Sequence, residues 1–385
     1  MIQYNKDINN TFGMRVRAAA YAEWGSEDAL RELLRDSSLP RPFLFVGAGS
    51  NLLFTGDFPG TVLHSTMRDI RVLSVGGSVS GSAGSVSMHD ESDSGSGAGS
   101  EVLVEVGSGV VFDDFCEWAA ERSLWGVENL SHIPGEVGAS AVQNVGAYGV
   151  EAKDVIVKVN CIELSTGKFV SFGNSECGYG YRASNFKTVW KGQYAVTSAV
   201  FRLSSAPVPH LDYGHLRSAV EAAQRSVDGI SDKSSQMARS EMPLTPSLIR
   251  EVVTEIRCQK LPEPSELGSA GSFFKNPVIS QEHFDRILKD FRQVNGPEAT
   301  VPHYIVAQPD GSAPMIKVPA AWLIEQCGWK GKRLGNVACY SKQPLVIVNL
   351  TGSATPQEVI DLENSVIASV RARFGVDLHP EVEHI

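Results

Sequence analysis

The strongest constraint on this chain is where its glycines stand. Residues 128–151 read ENLSHIPGEVGASAVQNVGAYGVE, with Gly135, Gly138, Gly146 and Gly149 among small residues and the amides Gln143 and Asn144. A packed strand gains nothing from so many glycines, because each loses backbone entropy on folding and adds no side chain to a core. A backbone wrapped closely around a flat, polar ligand does use them; a series of structural glycine turns is the alternative. A second run, FLFVGAGSNLLF at 43–54, sets a tight GAGSN turn after an apolar strand. Gly47 and Gly49 there can aim backbone N–H groups at an anion, although a plain turn between strands accounts for the run equally well. It is not the fingerprint of a βαβ dinucleotide site. The third glycine of that pattern falls at Leu52, and the TGDFPG that follows contains Pro59, so no helix opens.

A third glycine-rich stretch has a different character. Residues 76–100 read GGSVSGSAGSVSMHDESDSGSGAGS, without periodicity and almost without large apolar residues, as in a flexible insertion. It is flanked by IRVLSV at 70–75 and EVLVEV at 101–106, both alternating and rich in β-branched residues, which predicts two adjacent strands joined by an expanded loop. FDDFCEWAAERSL at 112–124 carries Phe115, Trp118 and Ala119 at helical spacing, with Asp113 or Asp114 as N-cap. A helix from Thr245 to the neighbourhood of Arg257 and Lys260 has Thr as N-cap and Pro246 at its first position. Near the end, Thr355, Pro356 and Glu358 form a capping box; Val359, Leu362, Val366, Val370 and Phe374 mark one helical face, and Gly375 stops it.

Length and composition bound the rest. At 385 residues the chain has room for two or three domains, and 42% hydrophobic with 20% charged residues is ordinary for a soluble protein. The 34 Lys+Arg against 44 Asp+Glu leave a net charge of −10, which argues against a nucleic-acid partner. Six scattered cysteines without a CxxC pair suit a reducing cytoplasm and offer no metal site. The polar N-terminus and the lack of a long apolar run predict neither a signal peptide nor a membrane partner.

The string IPGxVGAxxxQNxGAYGxE at 133–151 resembles the flavin-binding segment of the MurB family, the UDP-N-acetylenolpyruvoylglucosamine reductases. Asn10-Thr11-Phe12, the GAGSN turn, GYGYRASNFK at 178–187, AGSFFKNP at 270–277, WLIEQCGWKG at 322–331 and the terminal LHPEVEHI are similar to that family in the same order along the chain. The resemblance implies an α+β fold: a two-lobed FAD-binding domain of the p-cresol methylhydroxylase type and a smaller C-terminal α+β substrate domain. The expected limits are 1–66 and 67–225 for the two lobes, 226–244 for a linker or insertion, and 245–385 for the substrate domain. It further implies a monomer that reduces the enolpyruvyl ether of UDP-N-acetylglucosamine to UDP-N-acetylmuramate for peptidoglycan. NADPH is the reductant and FAD is bound without a covalent link.

The resemblance also places the chemistry. FAD would be held by Gly47, Ala48, Gly49, Ser50, Asn51 and Leu52, and by Ile133, Pro134, Gly135, Val137, Gly138, Ser140, Gln143, Asn144, Gly146, Ala147 and Tyr148. Arg182 would face the substrate carboxylate, where a planar guanidinium can hold developing negative charge. Ser272 would be the proton donor, although a serine after a glycine is more often simply in a turn. Glu381 would assist protonation of the enolate; His379 stands where an acidic residue is common in the family. Lys260, Lys275, Asn276 and Gln326 would touch the substrate, and Tyr213 matches the tyrosine loop of a subtype that closes over the UDP-sugar. The alternatives are a flavin oxidase of the same broad fold, with His132 as a covalent tether, and a non-catalytic nucleotide-binding module. Neither explains Arg182, Ser272 and Glu381 together.

Overall fold

The computed structural model describes residues 1–76, 100–227, 243–307 and 313–385, without the side chains of 226 and 227. The expanded loop and the 226–244 linker expected from the sequence lie largely outside the described residues. The chain forms two compact units: Met1–Gln3, Ala20–Gly47 and Thr61–Arg257 make the first, and Tyr4–Ala19, Ala48–Gly60 and Cys258–Ile385 the second.

The first unit is built on a five-stranded antiparallel sheet in the spatial order Phe169–Gly173, Ile156–Glu163, Tyr194–Ser204, Glu101–Gly107, Ile70–Val75. The alternation around the expanded loop gives what it predicts. Ile70–Val75 and Glu101–Gly107 pair antiparallel, and Gly76 N–H donates to Glu101 O at 2.8 Å where the two strands end. Val102, Val104 and Val106 point into the core and Glu101 outward, the period-2 pattern of a strand with one buried face. Helix Phe112–Glu121 covers that face with Phe112, Phe115 and Cys116, and its Phe115 ring lies 4.7 Å from Phe201. A short parallel pairing of Phe43–Phe45 with residues 61–63 lies in the same unit, next to helix Glu27–Arg35, which Ser26 caps by accepting from Ala29 N–H.

The second unit holds a four-stranded sheet in the order Gly268–Ser272, Val346–Asn349, Val337–Cys339, Arg333–Leu334. Helix Pro356–Phe374 starts at the anticipated capping box and ends at Gly375 in the left-handed region, φ +65°. Val359, Leu362, Val366 and Val370 are wholly buried along its inner face. The C-terminal strand Glu383–His384 pairs in parallel with Leu52–Leu53.

The glycine-dense segment divides in a way the sequence did not distinguish. Residues Val137–Gln143 form a helix, and Gly138 lies in it where a Cβ would fall 2.8 Å from Ser108 Cβ and 3.2 Å from Ser108 O. A Cβ at Gly146 would meet Glu151 Cγ at 2.9 Å and Arg182 Nη1 at 3.0 Å. These two glycines therefore allow protein to pack on protein. Gly135 (φ +118°) and Gly149 (φ +85°) instead provide backbone turns closed to other residues. Replacing Gly138 by Ala overpacks the Ser108 contact and should destabilise the flavin-free protein by about 1–3 kcal/mol, measured by urea unfolding. An unchanged apoprotein midpoint with weaker flavin binding alone would show that this glycine serves the ligand instead.

Candidate active site

In the first unit three loops are pinned to one another by polar side chains. Asn144 is buried and left-handed, φ +49°. Its Nδ2 donates to Gly180 O at 2.8 Å and to Glu151 Oε2 at 3.0 Å, while its Oδ1 accepts from Lys153 N–H at 2.9 Å. Asn tolerates this backbone conformation better than most residues because its short amide bonds locally. Arg182 sits in the next turn, half-buried and also left-handed at φ +52°. Its Nη2 donates to Gly146 O at 2.6 Å and its Nη1 to Asn144 O at 3.4 Å, which fixes the guanidinium plane against 144–147. The GYGYR motif and the QNVGAYG motif are thus one structural unit, as the functional reading of Arg182 needs.

Tyr213 is fastened to the same place. Buried Asn129 uses its Nδ2 to hold both Tyr148 O (2.9 Å) and His210 O (2.7 Å), joining the flavin-type segment to the segment before Tyr213. The Tyr148 and Tyr213 rings meet edge to face with centroids 6.0 Å apart, and Tyr213 is 41% exposed.

The loop that enters the IPGEVG string is held by charge. Asp113 Oδ1 accepts from His132 N–H at 2.5 Å, and Arg250 binds both carboxylate oxygens, at 2.5 and 3.1 Å. Arg257, on the same helix Pro246–Lys260, donates through Nε to His132 O at 3.1 Å. The N-cap expected of Asp113 is a different device in the structure. Val111 takes the cap position without a side-chain bond, and the carboxylate one turn in is spent on the loop. Burial pushes Asp113 up, but the Arg250 guanidinium and the His132 amide outweigh it and hold the carboxyl below its usual range.

A second carboxylate lies under the string. Glu136 is buried, and its Oε1 is 2.8 Å from His64 Nε2; His64 Nδ1 is in turn 3.2 Å from Tyr21 Oη. A Cβ at Gly47 would fall 2.9 Å from Glu136 Oε2, so Gly47 and the IPGEVG string approach closely within this unit. Hydrogen bonding to Glu136 raises the His64 pKa, with burial opposing it. Of the residues expected to hold FAD, Val137 faces the core and Ser140 returns its hydroxyl to Val137 O, so they can serve a ligand only through the backbone. Ile133, Pro134, Gly135, Gln143, Gly146, Ala147 and Tyr148 are at least partly accessible.

In the second unit the GAGSN turn, Ser272 and Glu381 are brought together. Gly49 is left-handed (φ +64°), and a Cβ there would come within 2.9 Å of Asn9 O. Ala48 is exposed and Ser50, Asn51 and Leu52 are partly so. Ser272 ends strand Gly268–Ser272 just after left-handed Gly271 (φ +67°), at a register irregularity against Val346. Such a bulge re-aims the side chain that follows it. The residues after Ser272 then pair with the tail: Lys275 N–H donates to His379 O at 2.9 Å, Phe274 bridges Pro380, and Glu381 N–H donates to Phe273 O at 2.8 Å. Asn51 Nδ2 donates to Glu381 O at 3.2 Å, and the Asn51 backbone carbonyl accepts from Glu383 N–H at 3.0 Å. Asn276 accepts from Ala320 N–H at 2.9 Å, capping helix Ala320–Gln326, whose last residue is the expected Gln326. Lys260 is exposed at the end of its helix. A cavity of about 520 Å³ elsewhere in the unit, lined by His283, Arg286, Phe291 and Arg373, contains none of these residues.

Within the first unit, the positive-φ backbone at 132–149 suits close approach to a flat, anionic cofactor. Residues 18–173 match the model of an FAD binding domain, and 263–385 that of the UDP-N-acetylenolpyruvoylglucosamine reductase C-terminal domain. The chain is 41% identical over 383 residues to the UDP-N-acetylenolpyruvoylglucosamine reductase of Bacteroides fragilis, covering 100% of this chain and 99% of that one. With its Porphyromonas gingivalis namesake identity is 39%, over 99% and 98% of the two chains.

The chain belongs to the UDP-N-acetylenolpyruvoylglucosamine reductase family.

It is thus a flavoprotein oxidoreductase of peptidoglycan precursor synthesis. Among solved structures it aligns with the family's Thermus caldophilus enzyme at TM-score 0.57 and 20% identity, covering 100% and 99% of the two chains. It also aligns with 6-hydroxy-D-nicotine oxidase of Arthrobacter nicotinovorans at TM-score 0.50 and 13% identity, over 98% and 86%. These two likenesses speak for the fold alone, the α+β flavin-domain type with an added C-terminal domain. Sequence reading of this family missed Asp113, Arg250, Asn129, Glu136 and His64. Only the burial of charged and amide groups exposes their roles.

Replacing Asp113 by Asn removes a charge that holds the flavin-type loop and should weaken FAD retention about tenfold, in line with the ~1.5–3 kcal/mol of a charge-assisted bond. The folded pKa of Asp113 lies below its ordinary value, so its contribution is full above about pH 3.8 and is lost as pH falls through the lowered value. The stability gap between wild type and Asp113→Asn, measured by denaturant titration, should be wide at neutral pH and close in acid.

Proposed function

We propose that this chain reduces the enolpyruvyl ether of UDP-N-acetylglucosamine to the lactyl ether, giving UDP-N-acetylmuramate in the cytoplasm, with NADPH as reductant. The observation that carries the reading is the ladder of residues 273–275 with 379–381, which seats Glu381 beside the strand end bearing Ser272. The glycine-rich turns would hold FAD without a covalent bond, and the bound flavin would supply the hydride that the enolpyruvyl group needs. Arg182, whose guanidinium plane is fixed by Gly146 O, holds the substrate carboxylate as negative charge builds on the adjoining carbon. Ser272 delivers the proton to that carbon, and Glu381 assists by polarising the enolate. Lys260, Lys275, Asn276 and Gln326 bind the nucleotide-sugar, and Tyr213 closes over it in the manner of the tyrosine-loop subtype. Net charge is no obstacle, because charge-assisted contacts of about 1.5–3 kcal/mol each decide the local field.

Two measurements test this. NADPH oxidation should depend on the enolpyruvyl substrate, and acid precipitation should release yellow flavin into the supernatant; flavin remaining on the protein would favour an oxidase with a tethered cofactor. Ser272→Ala should keep flavin reduction by NADPH and slow flavin reoxidation by substrate by roughly 10²–10⁴-fold. Reoxidation at the wild-type rate in a stopped-flow trace would remove Ser272 from the mechanism.

A further inference from the structure

One buried charge of the second unit has no part in the reaction described above. Glu363 lies on the inner face of helix Pro356–Phe374, beside the wholly buried Val359, Leu362 and Val366, and its side chain is only 9% exposed. A carboxylate in such a place costs several kcal/mol unless an opposite charge accompanies it. The accompanying group is His384, whose Nε2 is 2.9 Å from Glu363 Oε2. The contact is at hydrogen-bond distance, and it is strengthened when the imidazole carries its second proton.

His384 is three residues beyond Glu381 and belongs to the two-residue strand Glu383–His384. A pairing of that length has little stability of its own. A slip of one residue would move the chain by about 3.3 Å and turn alternate side chains to the opposite face. Glu383 N–H to Asn51 O and Ile385 N–H to Leu53 O, at 3.0 and 2.9 Å, join the strand to its neighbour through the backbone. The Asn51 and Thr55 side chains add bonds to Glu381 O and Ile385 O, carbonyls that any residue would offer. The His384 imidazole adds a contact that belongs to one side chain alone. It faces Glu363 from the helix and the edge of the Phe273 ring, centroids 6.3 Å apart, and Phe273 is the residue that follows Ser272. Among the described residues the acid paired with it is Glu363, and Glu383 precedes it in the chain.

We propose that His384 is a positioning residue: paired with buried Glu363, its charged imidazole locks the register of the C-terminal segment and so places Glu381 beside Ser272. The inference rests on the reading of Glu381 as part of the reaction. The pairing with Glu363 raises the His384 pKa against the opposing effect of burial. A raised imidazole contributes fully below its ordinary value, and its contribution is lost as pH rises through the raised one. The lock is therefore closed at low pH and opens as pH rises through the raised value.

The test uses the FAD-loaded enzyme over a pH series that starts below the ordinary imidazole value and extends well above it. Stopped-flow reoxidation of the reduced flavin by the enolpyruvyl substrate reads the chemistry. Hydrogen exchange of the C-terminal peptide, corrected for the intrinsic pH dependence of exchange, reads the lock itself. In wild type both reoxidation rate and protection should fall at the alkaline end, the rate by about tenfold as a misplaced group predicts. His384→Gln should show the low rate and weak protection at every pH, with the NADPH half-reaction unchanged, and His384→Lys should keep both high throughout. Wild-type protection in His384→Gln would overturn the proposal. Failure of His384→Lys to restore it would also do so, since the imidazole would then act by shape and not by charge. Glu381→Gln separates the two readings: normal reoxidation in that variant removes Glu381 from the chemistry, while the exchange measurement still decides whether His384 locks the tail.

Discussion

The pairing of residues 273–275 with 379–381 is the contact on which the candidate chemistry depends. It is made by backbone groups and one bridge, at 2.8 and 2.9 Å where distances are defined by hydrogen bonds, and it joins two motifs remote in sequence. Backbone pairing fixes where two chain segments lie but tolerates many side chains, so the identities of Ser272 and Glu381 can answer to the reaction alone. Asn51 extends the arrangement by binding Glu381 O and Glu383 N–H, which makes the glycine turn and the tail a common support.

Much of this was legible in the sequence because it appears as local pattern. The strands around the expanded loop, the Thr245 cap and the Thr355 capping box all occur where alternation and capping residues predict them. The motif order also pointed to the family whose C-terminal domain model matches residues 263–385. What was not legible depends on burial. Asp113 looks like a helix cap until its carboxylate is seen holding His132 and Arg250, and Glu363 looks like one more surface acid on an amphipathic helix until its neighbours are seen to be core. Nor does sequence distinguish a glycine that admits a ligand from one that admits a serine, as Gly138 does.

The electrostatics follow one scheme at three places. Asp113 with Arg250, Glu136 with His64, and Glu363 with His384 each set a buried or half-buried acid beside a segment expected to touch cofactor or substrate. Each acid is matched by a basic group from another element, so the desolvation cost of the acid is offset only when the loop is in place. Two of the three basic groups are imidazoles, which makes those supports sensitive to pH in a way that the Arg250 pair is not.

The left-handed residues in the first unit have a consequence for how this protein can vary. Among the described residues, six non-glycine positions have positive φ, and four of them, His132, Asn144, Tyr148 and Arg182, lie in the segments assembled around the candidate site. An L-residue in this conformation costs roughly 1–2 kcal/mol relative to glycine. At these four positions mutation to glycine would therefore relax the backbone while deleting a side chain. At Asn144 and Arg182 that relief is set against the hydrogen bonds lost with the side chain. In a library selected for thermal stability alone, any drift toward glycine should fall at His132 and Tyr148, while one selected for turnover should hold all four original residues. The difference between the two outcomes would map, position by position, where the fold carries strain on behalf of the chemistry.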